Sequence, residues 1–156
     1  MKGEIRETRE NRENGRKIFG ISRLDFEDLD VYQVAVAFAK DLYQVTAQFP
    51  REELFGLVSQ LRRSAVSISA NIAEGYGRSR AEASRYYGIA RGSACECIPL
   101  IMIARETGLL ESQVAKAFRE CCLRIILMLR KLAVSRSSPS SRFSPFSHGF
   151  TLVELL

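Results

Sequence analysis

The sequence predicts an all-α protein, an antiparallel up-down-up-down four-helix bundle, on three observations. Four segments between residues 25 and 134 carry apolar side chains alternating three and four apart, the spacing that places them on one helical face. The connections between these segments are short, which makes neighbouring helices antiparallel. The stretches on either side, 1 to 24 and 135 to 156, have no such period and cannot supply a core.

Helix one has the seam Val31, Ala35, Phe38, Leu42, Val45 and Phe49, started by Asp28 and stopped at Pro50. Helix two has Leu54, Val58, Leu61, Ala65, Ile68 and Ile72, with Glu52 and Glu53 in its first turn, where carboxylates oppose the positive helix end. It ends at Gly75-Tyr76-Gly77. Helix three opens on Ser79-Arg80-Ala81-Glu82, a Ser-x-x-Glu capping box. Its seam is Ala83, Tyr87, Ala90, Ala94, Cys97, Ile101 and Ala104. Gly108 closes it as a C-terminal cap, and Pro99 predicts a kink. Helix four has Val114, Phe118, Cys121, Ile125, Met128 and Leu132. No repeat of solenoid period is present, so all four helices serve one core.

Residues 1 to 24 interleave Glu4, Glu7, Glu10 and Glu13 with Arg6, Arg9, Arg12 and Arg16 and read as a charged flexible arm; 135 to 156 read as a disordered Ser/Pro-rich tail. The 23 basic and 18 acidic residues give a net charge of +5, a lean toward acidic partners such as nucleic acid. No secretory signal precedes the four cysteines, so a reducing cytoplasm is expected. No stretch reaches the roughly 18 consecutive apolar residues of a membrane span, so no membrane association is expected.

Two faces point away from the expected core. On helix two, Gln60, Ser64, Ser67 and Asn71 form a stripe of small polar residues, and on helix three Ala81, Gly88 and Gly92 lie opposite the seam. A glycine costs about 1 kcal/mol in a helix interior relative to alanine. The expectation is an oligomer interface through Gln60, Ser64, Ser67, Asn71, Gly88 and Gly92; a close helix crossing within the monomer is the alternative. Helix four carries Lys116, Arg119, Arg124, Arg130 and Lys131 on one arc, and residues 111 to 134 hold five basic against two acidic residues. That arc, together with Arg62, Arg63 and Arg78, is the candidate nucleic-acid-binding set, with an ordinary solvated face as the alternative. No aromatic residues interleave with the charges, so binding would be electrostatic and insensitive to sequence.

Catalytic chemistry has little to stand on. The single histidine, His148, sits in the tail, the Glu-x-x-His pairs of di-iron bundles are missing, and no acid/base pair suggests itself. Cys95, Cys97, Cys121 and Cys122 lie in helices where neighbours point about 200° or 100° apart, poor geometry for a metal. Cys97 and Cys121 fall on core seams. No metal or other cofactor is expected. Asn71, Glu74, Tyr76 and Arg78 gather at the turn between helices two and three, as a tie for that turn or as a ligand site.

The runs Asp28-Leu29-Asp30-Val31-Tyr32-Gln33, Gly56-Leu57-Val58-Ser59-Gln60-Leu61-Arg62-Arg63-Ser64-Ala65 and Ala70-Asn71-Ile72-Ala73-Glu74-Gly75-Tyr76-Gly77-Arg78 resemble the four helix bundle protein family. Its founding members are encoded by intervening sequences in bacterial 23S ribosomal RNA genes. Ala90-Arg91-Gly92-Ser93 and Glu96 fit the same pattern, whereas Ser69, where the family commonly has proline, and Pro99 depart from it. The resemblance implies a bacterial antiparallel bundle that forms a homopentameric ring and has no established enzyme activity. It also implies a relation to the accessory variability determinant of diversity-generating retroelements, a similar pentamer that binds reverse transcriptase and nucleic acid.

At the far end, Gly149-Phe150-Thr151-Leu152-Val153-Glu154-Leu155-Leu156 resembles the prepilin cleavage and methylation motif. In that family the motif leads into a long apolar helix; here the chain stops, and an appended sequence is expected instead. The expected function is a non-enzymatic homo-oligomeric scaffold that binds nucleic acid or a nucleic-acid enzyme. The alternative is a structural protein–protein assembly without nucleic-acid binding.

Overall fold

The computed structural model describes residues 24–135. The charged arm, nearly all of the Ser/Pro-rich tail, His148 and the motif Gly149 to Leu156 lie outside the described residues.

Four helices make up the fold: α1 Asp30–Thr46, α2 Leu57–Tyr76, α3 Arg80–Glu106 and α4 Ser112–Ser135. Each packs on the next, and α4 closes against α1, so the helices form a ring around one core as in the predicted bundle. The α2–α3 contact is the most extensive of the four, and α1–α4 the least. Phe38 of α1 meets Phe118 of α4 edge to face, ring centres 5.8 Å apart, which closes the ring across its thinnest contact.

The helix starts follow local chemistry. Asp25–Asp28 form a 3-10 turn in place of the expected first turn of α1, and the Glu27 carboxylate accepts the Leu24 N–H at 3.1 Å. Phe26 sets its ring against Tyr32 of α1 and Tyr76 of α2, 5.1 and 6.5 Å between centres, so this turn is tied to the bundle. α1 stops at Thr46, four residues before Pro50. Arg51–Glu53 then form a second 3-10 turn, and α2 starts only after Gly56. Leu54, expected in the seam of helix two, therefore stays outside the helix and exposed. Glu53 still acts at the helix start, its carboxylate accepting the Leu57 N–H at 3.4 Å.

Ser79 and Glu82 begin α3 as the sequence predicts. The Glu82 carboxylate accepts both the Ser79 N–H, at 3.2 Å, and the Ser79 hydroxyl. These two donors hold the carboxyl below its usual range. At the other end Gly108 takes φ +75°, where the Gly108 N–H reaches Arg105 O and the Leu109 N–H reaches Ala104 O, a Schellman termination. α3 continues through Pro99, whose side chain is exposed; the missing amide there leaves the Cys95 carbonyl without its i+4 donor but does not end the helix.

One expectation shifts. On α4 the buried line is Val114, Ala115, Phe118, Cys122, Ile125 and Leu129, whereas Cys121, Met128 and Leu132 are only half-buried. The pairs Cys121/Cys122 and Met128/Leu129 offer an apolar residue at either register, so the pattern alone did not distinguish them. α2 ends at Tyr76 with Gly77 as its C-cap, within the predicted Gly75-Tyr76-Gly77, and a Cβ at Gly75 would lie 2.8 Å from the Tyr87 ring. This glycine lets α3 approach closely.

Candidate functional site

The small polar stripe of α2 divides between an inner seam and an outer face. Ser67 Oγ lies 2.8 Å from Ser93 Oγ of α3, Asn71 Nδ2 donates to Ser67 O and Oγ at 2.7 and 3.1 Å, and Ser93 Oγ donates to Ile89 O at 3.2 Å. These bonds form one relay that stitches α2 to α3. Ser64 is only 2% exposed and its hydroxyl has no hydrogen-bond partner, so it belongs to the packing inside the protomer. This corrects the reading of Ser64 as a residue offered to another copy.

Gln60 and Gly92 remain exposed and Gly88 half-buried. A Cβ at Gly88 or Gly92 would meet nothing within 4 Å, so no packing inside the protomer explains either glycine. Val66 of α2 and Ile89 and Ile103 of α3 also stand open to solvent, three aliphatic residues that the seam pattern left unassigned. By length and composition α3 passes as a helix able to cross a membrane, yet only 39% of that apolar stretch is buried in the bundle. No run of 18 consecutive apolar residues occurs there, since Arg91 and Glu96 interrupt the stretch; only its average is that apolar. As the third helix of a bundle with a buried seam, α3 is accounted for by the core on one side and an uncovered apolar face on the other.

All five cations of α4, Lys116, Arg119, Arg124, Arg130 and Lys131, are exposed. The face they occupy is not purely basic, because Leu123, Leu127 and Val134 are 37%, 56% and 68% exposed within it. Glu120, Leu123, Arg124, Leu127, Met128 and Lys131 line an open groove of about 400 Å³. The spacing of Leu123, Leu127 and Val134 places them on one line of the helix, off the main seam.

The α2 arginines do not join this face, since α2 and α4 stand diagonally across the ring of helices. Arg62 is half-buried and braces α1: its Nε donates to Thr46 Oγ1 at 2.8 Å, Nη2 donates to Tyr43 O at 3.3 Å, and the guanidinium lies 4.6 Å from the centre of the Tyr43 ring. Arg78 pairs with Glu74, which raises the guanidinium pKa further and ties the α2–α3 turn. Arg63 is exposed. The eight predicted cations thus fall into a continuous set of five on α4 and three separate residues on α2 and its turn.

Cys97, Cys122 and the half-buried Cys121 behave as packing residues, whereas Cys95 is exposed. Contact with Cys97 and then burial raise the Cys122 pKa, and burial pushes Cys121 up to about 11 against the pull of nearby Arg124. Among the described residues no group of three or more His, Cys, Asp or Glu is placed to hold a metal.

The profile of the 23S rRNA-intervening sequence protein family matches residues 27–131. Among solved structures, a protein of unknown function from the S23 ribosomal protein family of Bacteroides thetaiotaomicron superposes with a TM-score of 0.61 at 23% identity, over 66% of this chain and 94% of that one. That likeness is one of fold. No curated protein matches the sequence.

Proposed function

The chain belongs to the 23S rRNA-intervening sequence protein family, and on that premise we propose that it is a non-enzymatic, homo-oligomeric helical scaffold of the cytoplasm. The observation that carries this reading is the outward face of α3. Gly88 and Gly92 each cost about 1 kcal/mol in a helix relative to alanine, and nothing within the protomer fills the space beside them. A second copy packed there would offset that cost and cover Val66, Ile89 and Ile103. The proposed assembly is a ring of five, by the family resemblance, with the α4 faces presented around it.

In this reading the α4 cations hold nucleic acid or a nucleic-acid enzyme, such as the reverse transcriptase of a diversity-generating retroelement. Five phosphate contacts on duplex nucleic acid would give a salt dependence of log affinity near a slope of about −4.5. The test is titration of a labelled nonspecific duplex and a single strand across salt concentrations. A steep loss with salt supports the reading; no affinity at low salt removes nucleic acid from it.

A second reading, protein–protein assembly without nucleic-acid binding, is favoured by Leu123, Leu127 and Val134 within the basic face. Phosphates gain nothing from an aliphatic ridge. The same titration separates the two readings.

A further inference from the structure

We infer that the outer face of α4 is a docking groove for an acidic amphipathic helix of a protein partner. The inference rests on the reading that this face serves a partner, and it specifies that partner's chemistry. At about 100° per residue, Leu123, Leu127 and Val134 fall within roughly 20° of one line. Arg119 and Arg130 lie roughly 40 to 60° to one side, and Arg124 and Lys131 roughly 60 to 80° to the other. From Leu123 to Val134 the face is an apolar ridge between two rows of exposed cations, with Lys116 on the same line two turns before Leu123 and the exposed Glu120 roughly 40° from it.

Each half of this pattern selects against a simpler occupant. Water would solvate the cations but gains nothing from the three aliphatic residues. A phosphate backbone would match the cations and leave the ridge unused, and no aromatic ring on the face is placed to stack a base. An anionic lipid surface would meet the cations too, and the vesicle arm of the test below separates it from a helix with its own apolar side chains to match Leu123, Leu127 and Met128. A helix with apolar side chains three and four apart, flanked by carboxylates, satisfies ridge, groove and both cation rows together.

The probe is a labelled helical peptide with leucines at three- and four-residue spacing and glutamates on the flanks, measured by fluorescence anisotropy against the full-length chain. Its controls are a scrambled peptide and one with lysines in place of the glutamates. The protein variants are Leu127→Asp and the double change Arg124→Glu with Lys131→Glu, all at exposed positions, with folding checked by circular dichroism. The patterned peptide should bind at least tenfold tighter than the scramble. Leu127→Asp should lose at least tenfold, and the charge-reversed protein should lose the glutamate peptide and take the lysine peptide.

Equal binding of patterned and scrambled peptides, or indifference to both variants, overturns the inference. So does a Leu127-dependent uptake by phosphatidylserine vesicles, or a fall in assembly mass in Leu127→Asp, since these assign the face to a membrane or to a second copy. Because mass is read separately, loss of peptide selectivity with the assembly intact defeats the docking groove alone and leaves the scaffold reading standing.

Discussion

Gly75 of α2 faces the ring of Tyr87 on α3 so closely that a Cβ at position 75 would lie 2.8 Å from Tyr87 Cε1 and 3.0 Å from Tyr86 Cβ. The aromatic ring of Tyr87 is itself buried, so it has little room to yield. Gly75→Ala is therefore expected to destabilise the fold by about 1–3 kcal/mol through overpacking, despite the better helix propensity of alanine. Gly92→Ala, with open space beside it, is expected to leave protomer stability unchanged or raised by up to about 1 kcal/mol. Urea unfolding of the two variants checks this, and equal losses would contradict it.

Arg62 is a brace between α1 and α2, and its substitution separates structural from binding roles. Arg62→Ala removes two hydrogen bonds and a ring contact at once, an expected loss of about 1–2 kcal/mol. Its effect on nucleic-acid affinity should be small, whereas Arg124→Ala with Lys131→Ala should reduce affinity and flatten the salt slope by about two. Parallel urea and salt titrations decide it. A steeper loss of affinity in Arg62→Ala than in the α4 double variant would overturn the assignment.

The start of α3 carries a pH signature. The Ser79 hydroxyl and amide hold the Glu82 carboxyl below its ordinary 4.5, so the folded state binds fewer protons than the unfolded state in acid. The stabilising contribution is thus fully present above pH 4.5 and is lost as the pH falls through the depressed folded value. The difference in urea midpoint between the wild type and Glu82→Gln should shrink toward zero in that window. A difference that stays constant from neutral pH into acid would contradict the role of Glu82.

Thiol reactivity should follow burial. Cys97 and Cys122 are fully buried and in contact across α3 and α4, so iodoacetamide should reach them only on unfolding. Cys121, pushed up to about 11, should react more slowly at neutral pH than a free peptide thiol and accelerate as the pH approaches that value. Peptide-level mass spectrometry reads the order. Rapid labelling of Cys122 in the native protein would contradict the packing of α4.

Much of this was legible in the sequence because helix periodicity and end chemistry agree. Ser79 with Glu82 opens α3, and Gly108 closes it, each at the residue the pattern names. The register of α4 was not fixed, because both Cys121 and Cys122, and both Met128 and Leu129, are apolar. Ser64 and Ser67 looked outward because small polar residues suit either a helix crossing or a partner; the Ser67–Ser93 hydrogen bond assigns Ser67 to the α2–α3 seam, and burial places Ser64 inside the protomer. The candidate faces were half legible: the α4 charges stood out, but exposed Leu127, Val66, Ile89 and Ile103 are apolar residues off the main seam. Whether such residues are covered depends on where neighbouring helices stop.

The most direct measurement is the mass of the full-length chain by light scattering over a range of concentrations. A scaffold built on the open face of α3 predicts a stable species several times the 17.6 kDa chain, five chains in the proposed ring, that shifts toward smaller species in Gly92→Arg. A mass of 17.6 kDa at every concentration would contradict it.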